Sequence, residues 1–93
     1  MRTSFNGTPE ERKKLTYILR HETTKEQFEE LKSILVSSEL FKVVYYRYGL
    51  RYPLKHIINN KLLPFEEDKI IDRENQALNK LLFFKWRENE WIC

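Results

Sequence analysis

The side chains able to ligate a soft metal or act as a nucleophile are few: His21, His56 and the single cysteine, Cys93. Structural zinc takes four Cys or His ligands at close spacing, and catalytic zinc takes three plus water. Two separated histidines and one thiol do not make either set. A Cys–His pair built from Cys93 would need a fixed electropositive pocket to activate the thiol. A residue at a chain end is among the least fixed, so Cys93 reads as dispensable. The acids fall in groups, Glu29-Glu30, Glu66-Glu67-Asp68 and Glu88/Glu90, that suit polar faces and first turns of helices. General acid–base work needs instead a pair held in a cleft with separated pKa values. Only two glycines occur, Gly7 and Gly49, which excludes a glycine-rich phosphate loop. The expectation is no metal, no cofactor and no enzymatic activity.

Binding chemistry is better represented. Four of the five tyrosines lie in one stretch with two arginines, two lysines and a histidine: Lys42, Tyr45, Tyr46, Arg47, Tyr48, Arg51, Tyr52, Lys55 and His56, with Lys61 just beyond. Tyr and Arg contact phosphates and stack on bases. The same residues are enriched at protein–protein hot spots. A third reading has the tyrosines packing at a core edge with their hydroxyls in water. Nucleic acid is the leading partner, through Arg47, Arg51, Lys55 and Lys61 on phosphates and the tyrosines as stacking platforms. A protein partner stands close behind, with the chain as a compact inhibitor or adaptor of the kind mobile elements encode. Reversing the charge at Arg47 and Arg51 should then weaken binding at little cost to folding, since exposed charges contribute about 0–1 kcal/mol. Arg12 and Lys13 serve as a control pair.

The charge distribution singles out the same stretch. Net charge is +3 over 93 residues, but residues 42–65 carry five basic groups and no acid. Residues 1–21 are net basic, whereas 22–41 and 66–93 are net acidic. A basic segment of this kind fits a polyanion or an acidic protein surface.

The elements that must position these residues read as helices, because glycine is too scarce for a hairpin-rich fold. Thr8, Pro9, Glu10 and Glu11 open a helix at about 9–21 that buries Leu15, Ile18 and Leu19. Thr24 with Gln27 forms a capping box before a second helix with Phe28, Leu31, Ile34 and Leu35 on one face. Residues 41–48 suit either a helix ended by Gly49 or a strand; helix is favoured, because Ser38-Glu39 caps it. Pro53 opens a short helix at about 53–61 burying Leu54, Ile57 and Ile58, and Pro64 enforces a stop. A last helix begins near Phe65 and carries Ile70, Ile71, Leu78, Leu81 and Leu82.

Residues 39–61 also fit the order of a helix-turn-helix, with Arg51, Lys55, Asn59 and Asn60 facing a groove. The end, 84–93, reads as a hairpin at Glu88-Asn89 with Trp86 across from Trp91, or as the end of the last helix with Trp86 on its apolar stripe. The helix is preferred, since Glu does not tolerate positive φ.

The expected architecture is one all-α domain, 1–93, of four to five helices, with a possible short hairpin at 41–52 or 84–93. A membrane span needs about 20 apolar residues, and no such run occurs. The first residues lack the apolar stretch of a secretion signal, and a lone cysteine suits a reducing compartment, so a cytoplasmic location is expected. Oligomeric state is left open.

Overall fold

The computed structural model describes residues 7–84 and Trp86. About three quarters of these residues are helical, and no strand occurs among them.

Helix α1, Pro9–His21, starts at Thr8. The Thr8 hydroxyl accepts from the Glu11 amide at 3.1 Å, and the Glu11 carboxylate accepts from the Thr8 amide at 3.1 Å. Helix α2, Lys25–Leu35, repeats the device with Thr24 and Gln27, at 2.8 and 3.2 Å. Each box satisfies two backbone donors that the first turn leaves orphaned. At the other end of α2, Lys80 Nζ donates to the Leu35 carbonyl at 3.1 Å.

The α2–α3 junction is tight. Val36 has φ 63° and ψ −42°, and the Ser37 amide donates to the Leu35 carbonyl at 2.6 Å. This is a γ-turn of the hand that L-residues disfavour. Ser37 then caps α3, Ser38–Val44, by accepting from the Leu40 amide at 3.4 Å. The chain continues without a break into a wide helical turn at Tyr45–Gly49. Helix α4, Leu54–Asn59, is brief, and α5, Glu67–Phe83, is the longest element.

Helices α2 and α3 pack on α5, and α1 packs on the wide turn. The main core gathers Leu15, Ile18 and Leu19 of α1, Phe28, Leu31 and Leu35 of α2, Leu40 and Val44 of α3, Tyr48, and Ala77, Leu78 and Leu81 of α5. Trp86 closes it from beyond the end of α5. A smaller cluster, Val43, Ile57, Leu63 and Ile70, holds α4 and the loop after it against α3 and α5. Burying each of these aliphatic side chains contributes roughly 1.5–3 kcal/mol before the entropic cost of ordering the chain.

Several sequence expectations need correction. Residues 41–52 hold no hairpin, because α3 and the wide turn run through them. Gly49 does not end a helix in the left-handed conformation; positive φ falls instead at Val36, Arg51 and Lys61. Of the expected core, Ile58 is exposed, and Ile71 and Leu82 are half-buried. Pro53 stands before α4 as its N-cap, so the helix is shorter than 53–61. The last helix ends at Phe83, before Trp86, and the alternative hairpin at Glu88-Asn89, with Trp91 and Cys93, lies outside the described residues.

Candidate functional site

The wide turn decides how the basic, tyrosine-rich segment is displayed. The Leu50 amide donates to the Tyr45 carbonyl and the Tyr52 amide to the Tyr46 carbonyl, both at 2.8 Å. These bonds span five and six residues where an α-helix spans four, so the turn holds extra chain. Gly49 is required here for space. A Cβ on it would stand 2.9 Å from Tyr45 Cδ1 and 3.4 Å from Phe28 Cζ. The Tyr45 ring lies edge-on to Phe28 and nearly parallel to Phe41, which restrain it against giving way.

This geometry divides the nominated residues into three groups. The first belongs to the core. Tyr48 is only 2% exposed, with the Arg20 guanidinium 5.1 Å above its ring. Burial and the nearby Glu74 carboxylate push the Tyr48 hydroxyl well above the ordinary tyrosine pKa, which keeps it neutral. Tyr45 is half-buried at the edge of the main core. Tyr48 therefore leaves the list of platforms, and Tyr45 packs on Phe41 and Phe28.

The second group is ionic and internal. Glu74 of α5 is 5% exposed, yet it carries two arginine partners. Arg47 Nε donates to its Oε1 at 2.8 Å, and Arg12 Nη2 to its Oε2 at 3.1 Å. Arg12 Nη1 also donates to the Asn75 side chain at 2.7 Å. One acid thus holds α1, the wide turn and α5 together. Arg47 is therefore a structural cation as well as a possible contact, and Arg12 cannot act as a neutral control for it. The premise that Arg47 is an isolated exposed charge does not hold, and breaking a buried ion pair costs about 3–5 kcal/mol.

The third group stays at the surface. Lys42, Lys55, His56 and Lys61 are exposed, and Tyr46 and Tyr52 are half-buried. Tyr46 and Tyr52 lie nearly parallel, with centroids 6.1 Å apart, and Tyr52 meets His56 at 4.6 Å. Three rings therefore form a ladder from the wide turn to α4, resting on the smaller cluster. Arg51 is exposed on the loop before α4, in a left-handed conformation, and its Nη2 donates to the Arg20 carbonyl at 2.7 Å.

The helix-turn-helix reading loses its reading head. Arg51 precedes α4 rather than riding on it, and the Asn60 side chain folds back on the His56 carbonyl at 2.9 Å. Beside Lys55 the surface dips into an open depression of about 400 Å³ lined by Leu54, Lys55, Ile58, Asn59 and Glu67.

Glu74, Arg12 and Arg20 were not among the residues nominated from sequence. A signal for Glu74 does exist. It sits four residues after Ile70, three before Ala77 and seven before Leu81, all buried, so an acid occupies the apolar stripe of α5. Arg12 likewise stands three residues before Leu15 on the buried face of α1.

Among the described residues no group of three His, Cys, Asp or Glu side chains is placed to hold a metal ion, and no helix is long and apolar enough to cross a membrane. Comparisons with protein families, curated proteins and solved structures find no match for the chain.

Proposed function

We propose that this chain is a small, non-enzymatic regulatory binding protein that contacts nucleic acid through the surface part of segment 42–61. The observation that carries the reading is the Tyr46–Tyr52–His56 ladder, flanked by the exposed cations Lys42, Lys55 and Lys61 in a stretch without acids. Bases stack on aromatic faces regardless of sequence, at about 1–3 kcal/mol each, while lysines follow the phosphates. One feature favours single strands: the rings sit on the wide turn, the loop after it and a short helix, rather than along one long helix that could fill a groove.

The test is fluorescence anisotropy with a labelled single-stranded oligonucleotide over a salt series. Contacts from Lys42, Lys55 and Lys61 predict a log–log slope near −2, at about −0.7 per phosphate. Replacing Tyr52 and His56 together by alanine should weaken binding at least tenfold. An affinity indifferent to both salt and rings sinks the reading.

A protein partner is the second reading, and the depression beside Lys55 favours it. Its apolar Leu54 and Ile58 between Lys55 and Glu67 suit a partner side chain with mixed charge around it better than they suit a phosphate. Affinity capture from source cells that survives nuclease treatment would select this reading over the first.

A further inference from the structure

The depression beside Lys55 suits a bare phosphate poorly, but a single strand also brings bases to the surface. Leu54, Lys55, Ile58 and Asn59 line the depression from one face of α4, and Glu67 borders it from the first turn of α5. Helical phase puts His56 on the adjoining flank of α4, so the ring ladder ends at the rim of this depression. Its volume of about 400 Å³ falls in the range of small-molecule sites, roughly 300–1,000 Å³.

The lining restricts the occupant. Leu54 and Ile58 are apolar, and Ile58 is 36% exposed, so a flat ring laid on them removes apolar surface from water. Lys55 opposes a cationic occupant, and Glu67 opposes an anionic one at its own end. Among the described residues the side chains of Lys55, Asn59 and Glu67 have no hydrogen-bond or ion-pair partner, so all three polar groups are available. The fitting ligand offers negative charge to Lys55, an apolar plane to the floor and hydrogen-bond donors to Glu67. A nucleotide has all three.

We infer that the depression reads one unstacked base of a bound single strand, and that the base is guanine. The inference rests on the nucleic-acid reading and gives that surface a sequence preference. A carboxylate only accepts, so it pairs best with two donors side by side. Guanine presents N1–H and the N2 amino group next to each other, with O6 beyond them. Adenine and cytosine place one amino donor beside a ring acceptor. Thymine and uracil flank N3–H with two carbonyls, which a carboxylate repels. Unstacked bases are commonly read on this edge. Glu67 accepts from N1 and N2, the Asn59 amide donates to O6, and Lys55 keeps the phosphate.

The probes are a labelled short thymine strand and the same strand with one central base replaced by guanine, hypoxanthine or adenine. In fluorescence anisotropy guanine should tighten binding about tenfold over thymine. Hypoxanthine lacks only the N2 amino group of guanine and should lose most of that gain. Glu67→Gln should bring the guanine and thymine strands to about equal affinity, leaving the thymine value unchanged. Glu67 is exposed and unpaired among the described residues, so this variant should keep its fold, as a melting curve verifies. The methyl signals of Leu54 and Ile58 should move saturably with the guanine strand and hardly with the thymine strand.

Equal affinity for all four strands overturns the guanine site and leaves the nucleic-acid reading standing. A guanine preference that persists in Glu67→Gln, or that leaves the Leu54 and Ile58 methyls unmoved, also overturns it. If no strand binds, both readings fall together, and the depression passes to the protein partner.

Discussion

Residues 42–49 and 50–61 share a composition of tyrosine, lysine, arginine and no acid, yet the first half, Lys42 and Tyr46 apart, serves packing and the second is mostly surface. In the first half Val43, Val44 and Tyr48 are buried, Tyr45 is wedged between two phenylalanines, and Arg47 is tied to Glu74. In the second half only Ile57 is fully buried, and Arg51, Lys55, His56 and Lys61 all stand in solvent. Composition locates a segment, but helical phase decides which of its atoms a partner can reach. A tyrosine facing the core is a packing residue, whatever stands beside it in the chain.

The largest effect that would break this division comes from charge reversal in the first half. Arg47→Glu sets a carboxylate against Glu74 and should cost about 3 kcal/mol, the low end for buried pairs because Arg47 is partly exposed. Urea unfolding would register it as a lower midpoint with an unchanged slope. Lys55→Glu in the second half should stay within about 0.5 kcal/mol. Equal losses at the two sites would erase the distinction.

Gly49→Ala comes next. Alanine gains up to about 1 kcal/mol of helix propensity over glycine, but its Cβ meets the Tyr45 ring at 2.9 Å, and overpacking costs about 1–3 kcal/mol. A net loss near 1 kcal/mol in thermal unfolding is expected. A net gain would mean that the Tyr45 ring is free to yield.

Tyr48 supplies a pH test. Its native pKa is raised, so the folded chain keeps the phenol proton after the unfolded chain begins to lose it. Its contribution is fully present below roughly pH 10 and is lost above it, by about 1.4 kcal/mol per pH unit for one group. Tyr48→Phe should flatten the alkaline fall in stability by that slope.

The smallest effect on folding should accompany a large one on binding. His56→Ala removes an exposed ring and should shift stability by less than about 0.5 kcal/mol. Its oligonucleotide affinity should nonetheless drop, as anisotropy would record. A His56→Ala variant that melts early would place His56 with the packing residues instead.

What could be read from the sequence was whatever depends on near neighbours. Thr8, Thr24 and Gln27 announce their helices because capping acts over three residues, and the bounds of α1 follow from it. Leu15, Ile18, Phe28, Leu31 and Leu78 are legible as core from their spacing alone. The pairing of Arg47 with Glu74 was not, since it joins residues 27 apart and depends on how α5 crosses the wide turn. Gly49 misled for a related reason. Glycine at a helix end suggests a left-handed cap, whereas here it makes room for a ring four residues earlier. Ile57 and Ile58 are equivalent in sequence, and only the positions of α3 and α5 select Ile57 for burial.

Helix α4 begins without a side-chain cap, spans six residues and buries one of them. Two fragments of core therefore hang on unequal anchors, and their amides should exchange with solvent on different timescales. Backbone amides of α1, α2 and α5 are expected to exchange through global unfolding, while those of Ile57 to Asn60 exchange through local opening of lower free energy. The open form would release Tyr52 and His56 from Tyr46 while leaving the main core shut. Any ligand that spans the three rings must hold that opening closed. Slowed exchange confined to α4 would then reveal an occupant before its identity is known.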